Sequence, residues 1–215
     1  MARKPAAPPR DLQDFQEEID QMIAQAEAHL GVAHGTIADV AEDSDYLAIL
    51  KIHATIEPLI NELLKENITR VLKHPKVSFP GADALAEFVL ARNLDEKRTL
   101  AVKSELIDAR RSEFIRNVAN VRNRYAHNIK NISLSIPKVA RKISPKDNGA
   151  AILRSLSNLK QPPSDFSLRI FLYWNFAFLL SEVIKGIKPP AWKGGGGILS
   201  TGEVGEISQT PSEEE

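Results

Sequence analysis

Cysteine is missing from all 215 residues of the chain. Its absence excludes a disulfide framework, thiolate metal ligands and a cysteine nucleophile, and it suits a reducing compartment. Also missing are a GxxxxGK phosphate loop and, near the central histidine motif described below, any carboxylate pair or HExxH-type spacing. Neither nucleotide-phosphate chemistry nor a catalytic metal is therefore indicated, and no cofactor is expected. Long hydrophobic runs are scarce too. The most apolar stretch, Ile170–Ile184, is interrupted by Asn175 and Glu182 and reads as short for a bilayer span. The first ten residues, MARKPAAPPR, are basic but lack the apolar run of a signal peptide. These features together predict a cytoplasmic protein without membrane contact.

Strand-like alternation and internal repeats are absent, and helical spacing is abundant. Leu12, Phe15, Ile19, Met22, Ile23 and Ala26 recur every three or four residues and predict a helix over Asp11–Leu30. A second helix is expected from Asp43 or Ser44 to Leu72, with Leu47, Leu50, Ala54, Glu57, Leu59, Leu63 and Leu64 as its stripe and a kink at Pro58. Pro75–Gly81 reads as a loop and Ala82–Arg92 as a short helix. Residues 96–127 read as one long helix or two joined ones, with Leu100, Leu106, Ile107, Phe114, Ile115, Val118, Val121 and Tyr125 buried. The prolines and glycine within 129–163 predict a long connection, with room for a short helix over Ala150–Leu159. The last helix, Ser164–Lys185, holds six of the thirteen aromatic residues and is apolar nearly all round, which suits a core helix or one shared with another chain. The expectation is an all-α bundle: a disordered arm over 1–10, one domain over 11–188 and a disordered tail over 189–215.

Net charge is zero, but its distribution is uneven. Between Lys103 and Lys146, eleven lysines and arginines face only Glu105, Asp108 and Glu113, a local excess of +8, while the tail is acidic. A basic segment in a neutral chain suits a polyanion, because phosphate contacts release condensed counterions; a solvated helix face would look the same.

Inside that basic segment lies Asn120-Val121-Arg122-Asn123-Arg124-Tyr125-Ala126-His127-Asn128. An imidazole can move a proton from a ribose 2′-hydroxyl or to a 5′-oxygen leaving group, and a guanidinium can hold the phosphate oxygens as charge builds. Arg116, Asn120, Asn123 and His127 share one helical stripe, with Arg124 and Lys130 as flanking cations and Tyr125 able to stack or pack. On an unbroken helix Arg122 and His127 would point roughly 140° apart. Convergence therefore needs a helix break between them or a second subunit. The other histidines, His29, His34, His53 and His74, lie in other elements without evident local company, so a second His127 from a dimer would supply the missing acid or base.

Val121-Arg122-Asn123-Arg124-Tyr125-Ala126-His127 resembles the HEPN superfamily signature, an arginine and a polar residue followed by a histidine at a helix end. The pattern apolar-Arg-Asn-x-aromatic-Ala-His is similar to the branch that includes mannitol-operon-repressor-like proteins. Ile56–Leu64 and the segment from Phe79 to Leu94 match the preceding elements, so the likeness covers about residues 45–130; it departs at the charged Asn93–Arg98, where a glycine-containing connection is often seen. The resemblance implies a dimeric helical bundle whose composite cleft cleaves RNA without a metal, leaving a 2′,3′-cyclic phosphate. Arg122 would bind the phosphate, His127 would be the acid or base and Asn123 would support them. Arg116, Asn120, Arg124, Tyr125 and Lys130 would bind RNA. The resemblance further implies a toxin or phage-defence effector, with an antitoxin protein as partner. Two other readings stand beside it: a non-catalytic, mannitol-repressor-like regulator binding protein or nucleic acid, and a structural dimer in which Arg122 pairs with a carboxylate such as Glu57.

Overall fold

The computed structural model describes residues 10–72, 81–162 and 165–187. Among these, the chain forms eight α-helices and two short 3-10 turns, with no strand. In order they are α1 (Arg10–Leu30), α2 (Asp45–Leu72), α3 (Ala82–Leu90), α4 (Leu94–Lys103), α5 (Ala109–Ala126), α6 (Ile136–Ile143), α7 (Ala150–Ser157) and α8 (Asp165–Ile187). The all-α expectation holds. Residues 1–9 of the expected arm, the whole expected tail over 189–215, residue 188 and most of the Pro75–Gly81 loop lie outside the described residues, while Arg10 already belongs to α1.

Three outcomes matter for the site, the first of them one of the two alternatives read from the sequence and the other two departures from it. Residues 96–127 belong to two helices, because Asp108 ends the intervening turn and caps α5, its carboxylate accepting the Arg111 N–H at 2.7 Å. The connection after residue 129 contains α6, which the proline count had hidden. Pro137 sits in the first turn of α6, where its missing N–H costs no helical hydrogen bond. Finally, the first half of α2 buries a different face from the expected one: Ile49, Ile52 and Ile56 point inward and Leu47 and Ala54 are exposed, whereas Leu59, Leu63 and Leu64 are buried as expected, together with Ile60. The isoleucines at 49, 52, 56 and 60 make a three-and-four stripe of their own. In this half of α2 apolar residues occupy both sides, and periodicity alone does not choose between them. Pro58 is exposed within a helix assigned continuously from Asp45 to Leu72.

α2 packs on α3, α4, α5 and α8, and α8 in turn packs on α1 and α7. α5 touches α2, α4, α6 and α7, so the motif-bearing helix is held on several sides. The shared core includes Phe114, Val118, Val121 and Tyr125 from α5 and Leu172, Phe176 and Leu180 from α8. Burying each large side chain stabilises the fold by roughly 1.5–3 kcal/mol. Within α8, Ser167–Ile187 is long and apolar enough to cross a membrane by length and composition, which corrects the expectation that the segment is too short. Its packing on α1, α2 and α7 gives it the place of a core helix, and its buried Asn175 donates to the Ser155 and Leu156 carbonyls at 3.0 and 3.2 Å.

Two local details fix the packing of the helices. Gly149 has φ +76°, and a Cβ there would lie 2.7 Å from backbone atoms of Ala140 and Arg141, so only glycine lets α7 begin so close to α6. Elsewhere in the bundle, Glu27 is buried on α1 and accepts from the backbone N–H groups of Gly35, Ile37 and Ala38 at 2.9, 2.6 and 3.3 Å. His34 Nδ1 lies 3.0 Å from the same carboxylate. Burial pushes the Glu27 carboxyl up, but these hydrogen bonds outweigh it and leave it below its ordinary 4.5. A depressed carboxyl stabilises the fold above its unfolded pKa, and that contribution is lost as pH falls through the folded value. Glu27→Gln should cost about 2–4 kcal/mol in chemical denaturation at pH 7, since charge-assisted bonds to a buried carboxylate are replaced by weaker ones. The difference between the two proteins should shrink as the pH is taken below about 4.

Candidate functional site

α5 remains helical through Ala126. His127 caps it with φ −80° and ψ −6°, and its N–H still bonds the Asn123 carbonyl at 3.0 Å. The break anticipated between Arg122 and His127 comes only after the histidine, where Asn128 turns to extended backbone and its side chain accepts from the Lys130 N–H at 3.0 Å. Arg122 and His127 therefore stay on different sides of the helix. The two groups are not brought together within one chain.

His127 is exposed and opens onto a cavity of about 390 Å³, lined by Asn120, Asn123, Arg124, His127, Lys142 and Ile143. Four expected site residues thus meet in one place. α6 supplies the opposite wall, and buried groups fix its position. Asn131, buried, donates to the Arg124 carbonyl at 2.7 Å and accepts from Lys142 Nζ at 2.8 Å. One amide thereby ties the end of α5 to α6. At the start of α6, the Ile136 N–H donates to Asp45 of α2 at 2.7 Å.

A second cavity of about 310 Å³ adjoins the first through shared Asn120 and Asn123. Its wall includes Arg116 of α5, Asp95 and Arg98 of α4, and His53 of α2. The half-buried Arg122 donates from Nη1 to Asn123 Oδ1 at 3.0 Å. Its positive charge also acts on His53. Burial lowers the His53 pKa below its ordinary 6.5, Arg122 lowers it further, and Glu57 partly opposes them. Glu57 itself accepts from Lys97 at 3.1 Å. The suggested Arg122–Glu57 pair is therefore replaced by a Lys97–Glu57 pair, with the lysine buried and the carboxylate partly exposed.

Two expected RNA contacts are corrected or displaced. Tyr125 is 1% exposed, donates its hydroxyl to the Leu134 carbonyl at 2.9 Å and packs edge-on against Tyr46, so it belongs to the core and offers no stacking face. Burial, followed by the charge of Asp45, raises its hydroxyl pKa well above 10. Lys130 is exposed on the 3-10 turn beyond α5 and lines neither cavity. Arg116 is exposed, with Glu113 at 3.6 Å, a surface pair worth little in stability. Sequence reasoning missed His53 and Lys142 as site residues. Both come from helices distant in sequence, and only the packing of α2 and α6 on α5 brings them in. Among the described residues, no group of three histidine, aspartate or glutamate side chains could hold a metal ion.

Comparison with known protein families, with curated proteins and with solved structures gave no match. Asn131 provides a local check on the architecture. Asn131→Ala removes both of its bonds and leaves the Arg124 carbonyl and Lys142 without this partner, which should lower stability by about 1–3 kcal/mol. Asn131→Asp keeps an acceptor for Lys142 and should recover part of the loss, as read from urea denaturation midpoints.

Proposed function

We propose that the protein is a metal-independent endoribonuclease of HEPN type that acts through 2′-hydroxyl attack and leaves a 2′,3′-cyclic phosphate. One observation carries the reading: an exposed imidazole at the end of a basic helix, opening onto a cavity walled by two cations, Arg124 and Lys142, and two amides, Asn120 and Asn123. The cations would hold the phosphodiester and oppose charge as it builds in the transition state. The amides would hold sugar and phosphate oxygens. His127 would exchange a proton with one of the two reacting oxygens.

The intact Arg122-Asn123…His127 set of the HEPN signature supports the same reading. Arg122 would work from the α2 side, holding Asn123 through its guanidinium and adding positive potential. The assembly proposed is a homodimer in which the motif faces of two protomers form one composite cleft for RNA. The biological role proposed is that of a toxin or phage-defence effector, held in check by an antitoxin protein.

A second reading has its own support. Because Arg122 and His127 face different sides of α5, the same motif would also suit a non-catalytic HEPN regulator resembling mannitol repressors, with the basic face binding protein or nucleic acid. Activity separates the two. Purified protein should cleave single-stranded RNA in the presence of EDTA, and His127→Ala should reduce the rate by about 10²–10⁴-fold without changing the melting temperature. RNA binding without cleavage, unaffected by His127→Ala, would favour the regulator.

A further inference from the structure

We infer that His53 is the second proton-transfer group of this site: it takes the proton from the ribose 2′-hydroxyl, and His127 protonates the 5′-oxygen that leaves. The inference rests on the ribonuclease reading and adds to it a residue outside the motif. It also changes what dimerisation has to provide, since each half of a composite cleft would then carry both imidazoles.

Placement is the first support. His53 of α2 lines the cavity that shares Asn120 and Asn123 with the cavity of His127, so the two imidazoles border adjoining cavities along α5. A phosphodiester seated on the two shared amides would border both cavities, with one imidazole on the side of the attacking oxygen and the other on the side of the leaving oxygen of the same phosphorus.

The second support is the position of Arg122. Helical geometry turns it away from His127, and the structure places its charge near His53 with its guanidinium on Asn123. An arginine that serves no purpose as a direct partner of His127 thus acquires one beside the other imidazole, where it favours the uncharged ring. Half-burial works in the same direction. The other charged groups around this cavity are Arg116 from α5 and Asp95 and Arg98 from α4, while Glu57 from His53's own helix is engaged by Lys97. Asp95 is in turn bonded by Arg98 at 2.7 Å. Both nearby carboxylates therefore have cationic partners, and the neutral imidazole keeps the lone pair that a general base requires.

The step balances without any co-reactant. Neutral His53 accepts the 2′-hydroxyl proton as the 2′-oxygen forms its bond to phosphorus. The bond from phosphorus to the 5′-oxygen breaks, and protonated His127 gives that oxygen its proton. The products are a 2′,3′-cyclic phosphate and a 5′-hydroxyl, and proton exchange with water restores both rings.

Two substrates separate the roles in the full-length protein with EDTA present. One is a dinucleoside monophosphate, whose leaving 5′-oxygen needs a proton. The other is a ribonucleoside 3′-(4-nitrophenyl phosphate), whose leaving group does not. His53→Ala should lose about 10²-fold or more on both substrates, and the acid limb of its pH–rate profile should disappear. His127→Ala should lose a similar factor on the first substrate and keep most of its rate on the second. His53→Gln, compared at equal melting temperature, should repeat the His53→Ala result and so separate chemistry from folding. A His53→Gln protein with the wild-type rate and acid limb, while His127→Ala is inactive on the first substrate, would overturn the role of His53 and leave the ribonuclease reading standing. A wild-type protein inactive on both substrates and on RNA would overturn both.

Discussion

The unbroken helicity of α5 through Ala126 is the constraint on which the candidate site depends. Its inward side is fixed by Phe114, Val118, Val121 and Tyr125, all within 1% of complete burial. Once those residues are committed to the core, every other side chain on the helix has its direction set. Asn120, Asn123 and His127 must face outward together, and Arg122 must lie to one side, towards α2. Rotating the helix would not pair Arg122 with His127, because their roughly 140° separation is fixed while the helix is unbroken. Any chemistry built on this motif must therefore draw partners from neighbouring helices or from a second chain.

Neighbouring helices do meet α5, and buried polar groups hold them at the right distance. Asp45 at the head of α2 receives the first N–H of α6, and Asn131 ties Lys142 of α6 to the last turn of α5. Gly149 permits α7 to begin against the back of α6. The Asp45 and Asn131 bonds satisfy polar groups that would be costly to bury alone, and they also orient a wall of the groove. On the far side, Lys97 with Glu57 ties α4 to α2 beside the cavity that contains His53. Stability and site geometry are thus maintained by the same few hydrogen bonds.

Much of the fold was legible because helical periodicity is local. The extents of α1 and α2 follow from three-and-four spacing and that of α8 from its nearly all-round apolar character, and the buried side of α5 was read correctly from Phe114 to Tyr125. What escaped depends on tertiary choice. α2 has apolar residues on two sides, and the one carrying Ile49, Ile52 and Ile56 won the core; His53, next to Ile52, was consequently not connected with α5. α6 was hidden by Pro137, which breaks helices in the middle but is tolerated at their start. Tyr125 was the ambiguous residue of the motif. An aromatic with a hydroxyl can stack on a base or fill a core, and here its hydroxyl reaches Leu134 and its ring meets Tyr46. Of the site itself, Asn120, Asn123, Arg124 and His127 were recoverable from one helical stripe and its flank. Lys142 and His53 were not, since nothing local marks them.

The central claim is that the groove along α5 performs 2′-hydroxyl chemistry on RNA, and the chemistry at the cleaved bond tests it most directly. An oligoribonucleotide with a single defined cleavage position would be incubated with the protein in EDTA, and the new ends read by phosphorus NMR and mass spectrometry. The account predicts a 2′,3′-cyclic phosphate and a 5′-hydroxyl, with no cleavage when that one ribose is replaced by 2′-deoxyribose. Cleavage that survives the 2′-deoxy substitution, or that yields a 5′-phosphate, would contradict it.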